Sequence, residues 1–405
     1  MPVSCIFHRG KYFRRINGSI RQQFFSRVKN GLGWQESWLI TLSLVLALSS
    51  LSYATESYST FDQRLSSQNF AFKIYRVNSL FYPFVQCYFR TFDLERNPLA
   101  NVNELNVALM VKGRVYDPFK KQYYVQTRRE RREGFRTVLV LDCSKTMAGQ
   151  PFRDAVTAIK KYIKFKKPTD QIAILAIKDR VIKVSDFEDD ETKLLLRLTD
   201  CKPDGETTVL FDGINQAYEM CAFSSSTDST AMGADETMNF LIGNCIVAFS
   251  DGKDEGSNIT IENVIARIER FFVPIYSVGY TKVDPKYLKN LGRLSDVSLG
   301  KYWYISDARE YSRVVEQIYD INNRDYVLTF RAYLEPDGEQ HAVKIGIKYD
   351  GKINYSSQKF EAIEIPPDAS DQIRRIFAGL NDAIPPLAGK NPYYEKKADI
   401  TKADQ

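Results

Sequence analysis

Residues 140–149 read V-L-D-C-S-K-T-M-A-G. An apolar run stops on a carboxylate, Asp142, and two hydroxyls follow at alternate positions, Ser144 and Thr146. Alternate residues of an extended chain share a face, so three oxygens aim at one point. Such a group suits phosphoryl transfer, nucleophilic catalysis or a divalent cation. Two later stretches have the same character. Gly205-Glu206-Thr207-Thr208 leads through Val209-Leu210-Phe211 to Asp212, and the apolar run ending at Phe249 continues Ser250-Asp251-Gly252.

The chemistry narrows by what is missing. A phosphatase of the D-x-D-x-T kind needs a second carboxylate as acid and base, and Ser144 stands in its place. A serine hydrolase needs a histidine; His8 lies in the N-terminal leader and His341 in a later β region. A dinucleotide site would show G-x-G-x-x-G after the first strand of the block, and none is present. An oxygen-only site for a hard cation remains. Mg²⁺ takes hydroxyls, waters and few carboxylates, and keeps exchangeable positions.

The elements that must position these oxygens are readable. Thr137–Leu141 is a continuous apolar run, expected of a strand buried on both faces. Phe152, Val156, Ile159 and Ile163 then line one face of a helix. Strands are expected at 171–177, 241–249, 273–278 and 301–305, with a short edge strand at 180–184. Helices are expected at 191–198, 209–220, 259–271, 285–294 and 308–321. This alternation predicts an α/β fold, a doubly wound, mostly parallel six-stranded sheet flanked by helices. Ligands of such sheets sit beyond the carboxyl ends of the strands, where the D-x-S-x-T stretch falls. Asp212 reads as a carboxylate in the first turn of its helix. Residues 224–238 read as a polar surface insertion.

The three stretches together resemble the von Willebrand factor A (VWA) domain and its metal-ion-dependent adhesion site. The resemblance covers about residues 135–322. It implies that Ser144, Thr146 and Thr208 contact a metal through hydroxyls, and that Asp142 and Asp251 hold its waters. The ion would be Mg²⁺, or Mn²⁺ or Ca²⁺. An acidic side chain of a protein partner would complete its sphere. Thr146 stands where the family often has Ser and keeps its hydroxyl; two positions depart further from the family pattern. Lys145 replaces a glycine, placing a cation where it weakens the metal or meets an acidic partner. Gly205-Glu206 replaces paired glycines, which makes Thr207 an alternative to Thr208.

The flanks favour strands: 70–115 before the block, and 326–334, 342–349 and 353–363 after it. Asp337-Gly338 and Asp350-Gly351 are expected as hairpin turns. The VWA block is thus inserted in, or flanked by, a small β-sandwich, as in integrin β chains. The boundaries are 55–134 for linker and β-rich region, 135–322 for the VWA domain, 323–365 for the returning strands and 366–405 for a polar tail. Residues 128–134, R-R-E-R-R-E-G, read as a solvated linker.

The formal charge of the chain is +6. Residues 1–54 hold seven Lys/Arg and one acid, Glu36, and the rest carries 49 of each sign, so the charge marks a leader and not a nucleic-acid surface. After the basic leader, 1–36, an uncharged apolar segment falls within 37–54 and reads as a transmembrane anchor or signal peptide. Positive-inside logic sends the main domains to the outer, periplasmic or extracellular side of the membrane, or into secretion if the leader is cleaved. Cys87 and Cys245 read as core residues, and Cys201 and Cys221 as candidates for pairing. The arrangement resembles exported bacterial VWA-domain proteins. It implies cation-dependent protein binding, in adhesion or complex assembly, and no catalysis. The alternatives are a metal-independent structural subunit of a cell-envelope complex, and a phosphohydrolase-type enzyme using the same carboxylates.

Overall fold

The computed structural model describes residues 69–223, 242–280, 285–305, 310–365 and 371–386. The basic leader, the apolar segment, the linker up to residue 68, the insertion 224–238 and the chain after residue 386 lie outside the described residues.

Five strands come first: β1 (Phe70–Phe81), β2 (Phe84–Asp93), β3 (Val107–Val111), β4 (Arg114–Tyr116) and β5 (Tyr123–Thr127). The short helix α1 (Arg128–Arg131) leads into the α/β block. That block runs β6 (Phe135–Asp142), α2 (Gln150–Phe165), β7 (Gln171–Ile177), β8 (Val181–Glu188), α3 (Glu191–Leu198), α4 (Leu210–Phe223), β9 (Gly243–Ser250) and α5 (Ile261–Arg270). It ends with β10 (Ile275–Gly279), α6 (Leu288–Val297), β11 (Tyr302–Tyr304) and α7 (Glu310–Asn323). Strands β12 (Tyr326–Arg331), β13 (Gln340–Tyr349) and β14 (Lys352–Glu361) follow, then α8 (Asp371–Ala383).

The block is a six-stranded sheet in the order β11-β10-β9-β6-β7-β8. All neighbours are parallel except β7 and β8. The unbroken apolar run of β6 serves both faces of this sheet. Leu139 and Leu141 pack with Ile159, Leu194 and Ile318 on one side. Val138 and Val140 pack with Ile214, Val264 and Leu291 on the other. This is the doubly wound architecture expected from the alternating elements. The edge strand β8 is longer than the expected 180–184 and antiparallel, and its side chains are only partly buried.

The flanking strands form two four-stranded sheets, β1-β2-β12-β5 and β14-β13-β3-β4. Each sheet mixes strands from before and after the block, so the block is inserted in a sandwich. Phe72, Phe89 and Leu328 of one sheet share a core with Leu109, Ile345 and Phe360 of the other. At the seam, the buried Arg90 of β2 grips Asp325, just ahead of β12, through Nε–Oδ1 at 2.6 Å and Nη2–Oδ2 at 2.7 Å. Its remaining donors reach the Leu299 carbonyl and the Asn322 amide oxygen of the block.

One hairpin turn forms as expected, and three features differ from the sequence reading. Asp350 and Gly351 both have positive φ, 47° and 74°, and close the β13–β14 hairpin as a primed turn. Asp337-Gly338, in contrast, joins β12 to β13 across the two sheets and is no hairpin. Residues 128–134 are only partly a solvated linker. Thr127 and Glu130 cap α1 reciprocally, while Arg128 and Glu133 are buried against each other at 3.2 Å. Within the polar tail, α8 lays Ile373 and Leu380 on Phe81 and Phe84, because apolar residues recur on one face of an otherwise charged stretch.

Candidate functional site

The parallel register decides what meets at the strand ends. Leu141 pairs with Phe249, so Asp142 ends its strand beside Ser250. Ser250 Oγ donates to Asp142 Oδ2 at 2.6 Å, and the Ser144 backbone N–H donates to Asp142 Oδ1 at 2.9 Å. Ser144 Oγ and Thr146 Oγ1 lie 2.9 Å apart. The 205–208 loop is drawn alongside by the Lys145 N–H, which donates to the Gly205 carbonyl at 2.8 Å, and by a bridge between Ser144 and Gly205. The loop after Asp251 is tied in where the Glu255 N–H donates to the Thr208 carbonyl at 2.9 Å.

Two glycines are required here. A Cβ at Gly205 would meet Lys178 Cβ at 2.7 Å. Gly252 has φ +82°, and a Cβ there would meet the Tyr287 carbonyl oxygen at 2.5 Å. Position 206 carries no such constraint: the Glu206 side chain is 72% exposed and pairs with Lys145.

Asp142, Ser144, Thr208 and Asp251 are all buried. Burial, and after it the charge of Asp251, pushes the Asp142 carboxyl up to about 6; the hydrogen bonds from Ser250 and Ser144 act in the opposite direction. Two buried oxygens of the set, Thr208 Oγ1 and Asp251 Oδ2, have no hydrogen-bond partner. Buried polar atoms are rarely left so, because each forgoes the partner it had in water. Thr207 is used otherwise: its N–H and Oγ1 both donate to Asp179 Oδ1, at 2.7 and 2.9 Å. Asp212 lies in the first turn of α4, and its carboxylate accepts the N–H groups of Asn258 and Ile259. His341 is buried in β13, bonded to Asp337 at 2.9 Å.

The donor set fits a small hard cation. It offers hydroxyl and carboxylate oxygens without sulfur or imidazole, two neighbouring buried carboxylates that repel each other, and two oxygens lacking a partner. Ser250 as the clamp on Asp142, and the Lys145–Glu206 pair, escaped the sequence reading. The only signal for the second was that the two departures from the family pattern carry opposite charges.

Cys201 and Cys221 are not a pair. Both are unbridged, and they pack on opposite faces of the central sheet, Cys201 with Leu139 and Cys221 with Val138.

Residues 137–253 match the von Willebrand factor type A domain family. The sheet and this match define a protein that carries a VWA domain. No curated protein matches the chain. Among solved structures the chain is similar to the conserved hypothetical protein BatB of Bacteroides thetaiotaomicron, at 13% identity over 46% of this chain and 98% of that one, with a TM-score of 0.36. It is also similar to an aerotolerance-related membrane protein of Bacteroides fragilis, at 13% identity over 46% and 99%, with a TM-score of 0.36. A third likeness is to a von Willebrand factor type A protein of Catenulispora acidiphila, at 12% identity over 69% and 80%, with a TM-score of 0.41. Among the described residues no helix is long and apolar enough to cross a membrane.

Proposed function

We propose that this VWA-domain protein binds a protein partner through a divalent cation held at the strand-end site. The observation that carries the reading is the pair of buried oxygens without partners, Thr208 Oγ1 and Asp251 Oδ2, beside the clamped Asp142. Ser144, Thr146 and Thr208 would hold the ion, with Asp142 and Asp251 supplying negative charge. The bound ion supplies an electrophilic position for an outside carboxylate. Mg²⁺ is the favoured ion, with Mn²⁺ or Ca²⁺ as substitutes. A site with several hydroxyls and few direct carboxylates leaves the ion short of negative charge, so an acidic partner side chain is attracted to it. Lys145 stands at the rim, where it would meet an acidic partner. Among the described residues the site's hydroxyls have no histidine or other base beside them beyond the two aspartates, which favours binding over catalysis. We further propose that the apolar N-terminal segment anchors or exports the chain, with the VWA domain on the outer side of the membrane.

The test is calorimetric titration of Mg²⁺ and Mn²⁺ into the full-length chain, beside the double variant Asp142→Ala, Ser144→Ala. Saturable binding in the wild type that the variant lacks supports the reading. Absence of binding in both overturns it, and leaves the metal-independent structural subunit as the better account.

A further inference from the structure

A cavity of about 550 Å³ lies at the other end of the central sheet, the length of β6 away from Asp142. That volume is within the usual size of a small-molecule site. Phe135, Gly243 and Pro274, from the starting ends of β6, β9 and β10, line it together with residues 75–80 of β1. Tyr75, stacked on Phe272 with ring centres 4.7 Å apart, and Phe271 make part of its wall apolar. Three guanidiniums line it as well, those of Arg76, Arg90 and Arg128. Arg90 is engaged by Asp325 and Arg128 by Glu133. Arg76 differs. Its Nη1 donates to the Ile242 carbonyl at 3.1 Å, and its guanidinium rests over the Tyr88 ring at 3.8 Å. Its Nε and Nη2 are buried and meet no acceptor among the described residues. These same two nitrogens form the edge with which Arg90, on the neighbouring strand, holds both oxygens of Asp325. That edge matches a carboxylate, and buried donors left without an acceptor are costly.

We propose that this cavity binds a small carboxylic acid with an aromatic or aliphatic body, its carboxylate held by Arg76. The two unmet nitrogens are closed to water where the side chain rests, so Arg76 meets the ligand by turning toward the cavity that it lines. The body of the ligand replaces water against Tyr75, Phe271 and Phe272. Of the other charged residues that line the cavity, Arg270, Glu361 and Glu364 are exposed. Water screens these three, whereas Arg76 acts where water is excluded and its attraction is stronger. The cavity shares no residue with the strand-end oxygens, and an anion bound in it needs no metal.

The experiment titrates 3-phenylpropionate and octanoate into the full-length chain by calorimetry, with EDTA present so that no divalent cation takes the carboxylate. The neutral 3-phenylpropionamide and the ester phenyl phosphate are titrated beside them. The expected result is saturable binding of at least one acid, with the amide at least about tenfold weaker and the phosphate no tighter. Arg76→Gln should lose at least about tenfold in affinity for that acid. Binding of neither acid overturns the proposal, as does an amide that binds as well as its acid. Tighter binding of phenyl phosphate overturns the assignment to carboxylates. Unchanged affinity in a folded Arg76→Gln puts the ligand elsewhere and overturns it equally. The comparison of acid with amide uses the wild type alone, so a variant that folds poorly does not decide the outcome. Cation binding is not read at all, so failure here leaves the proposed cation site standing, and failure of that site leaves this result standing.

Discussion

The ammonium of Lys145 pairs with the carboxylate of Glu206 across the two loops that frame the strand-end site. These are the two positions at which the chain departs from the VWA pattern, and they compensate each other in charge. Both side chains are largely exposed, 56% and 72%, so the pair adds little to stability. Its consequence is electrostatic. Glu206→Gln leaves the cation unbalanced beside the proposed metal and should weaken Mg²⁺ binding about threefold at low salt, while Lys145→Gly should strengthen it by a similar factor. The double variant should return near the wild type, and all differences should shrink at high salt. Calorimetric titration at two ionic strengths reads this, and a salt-independent effect would contradict it.

Thr208 offers a cleaner separation of stability from binding. Its buried hydroxyl has no partner. Thr208→Val keeps the shape and removes the unmet oxygen, so without metal the variant should be as stable as the wild type, or more stable by up to about 1 kcal/mol. A cation that binds only the folded chain raises stability by about 2.7 kcal/mol at a hundred times its dissociation constant. Mg²⁺ should therefore raise the melting temperature of the wild type and leave Thr208→Val nearly unmoved. Equal rises in both would remove Thr208 from the site.

Arg90 of the sandwich holds Asp325, where the chain leaves the block for β12, and reaches the block itself at Leu299 and Asn322. Arg90→Met strands a buried carboxylate whose remaining bond is from Tyr75 Oη, at 3.0 Å. The expected cost is about 3–5 kcal/mol, read as a lower denaturation midpoint. Replacing both partners with apolar residues should recover part of it, and a loss confined to surface-pair magnitude would show that the seam does not depend on this pair.

Glu133 supplies a pH dependence. Burial pushes its carboxyl up, but the guanidinium of Arg128, followed by Arg131 and Arg76, more than reverses this and holds it below the ordinary value of 4.5. A folded value below the unfolded one means stability that is present above the unfolded value and lost as pH falls through the folded one. The stability difference between wild type and Glu133→Gln should thus be full at neutral pH and shrink in acid, below about pH 4.5. Denaturation midpoints at pH 7, 5, 4 and 3 test this. A difference that does not change with pH would mean that the charge of Glu133 contributes nothing.

What was legible from the sequence was local or periodic. The continuous apolar run of β6 announced a strand covered on both faces, and the spacing of Phe152, Ile159 and Ile163 announced α2, because side-chain direction follows backbone period. The alternate placement of Asp142, Ser144 and Thr146 marked the rim for the same reason. What tertiary structure alone decided were encounters between distant segments. Ser250 reaches Asp142 from 108 residues away, and Lys145 reaches Glu206 from 61. Whether Thr207 or Thr208 turns inward was set by Asp179, which engages Thr207 from a neighbouring loop. The charged run 128–134 looked solvent-bound because nothing in it shows that β2 brings the ring of Tyr88 over Arg128 and its hydroxyl to Glu133. Charge in a sequence says what a residue needs; only the packed neighbours decide whether water or protein supplies it.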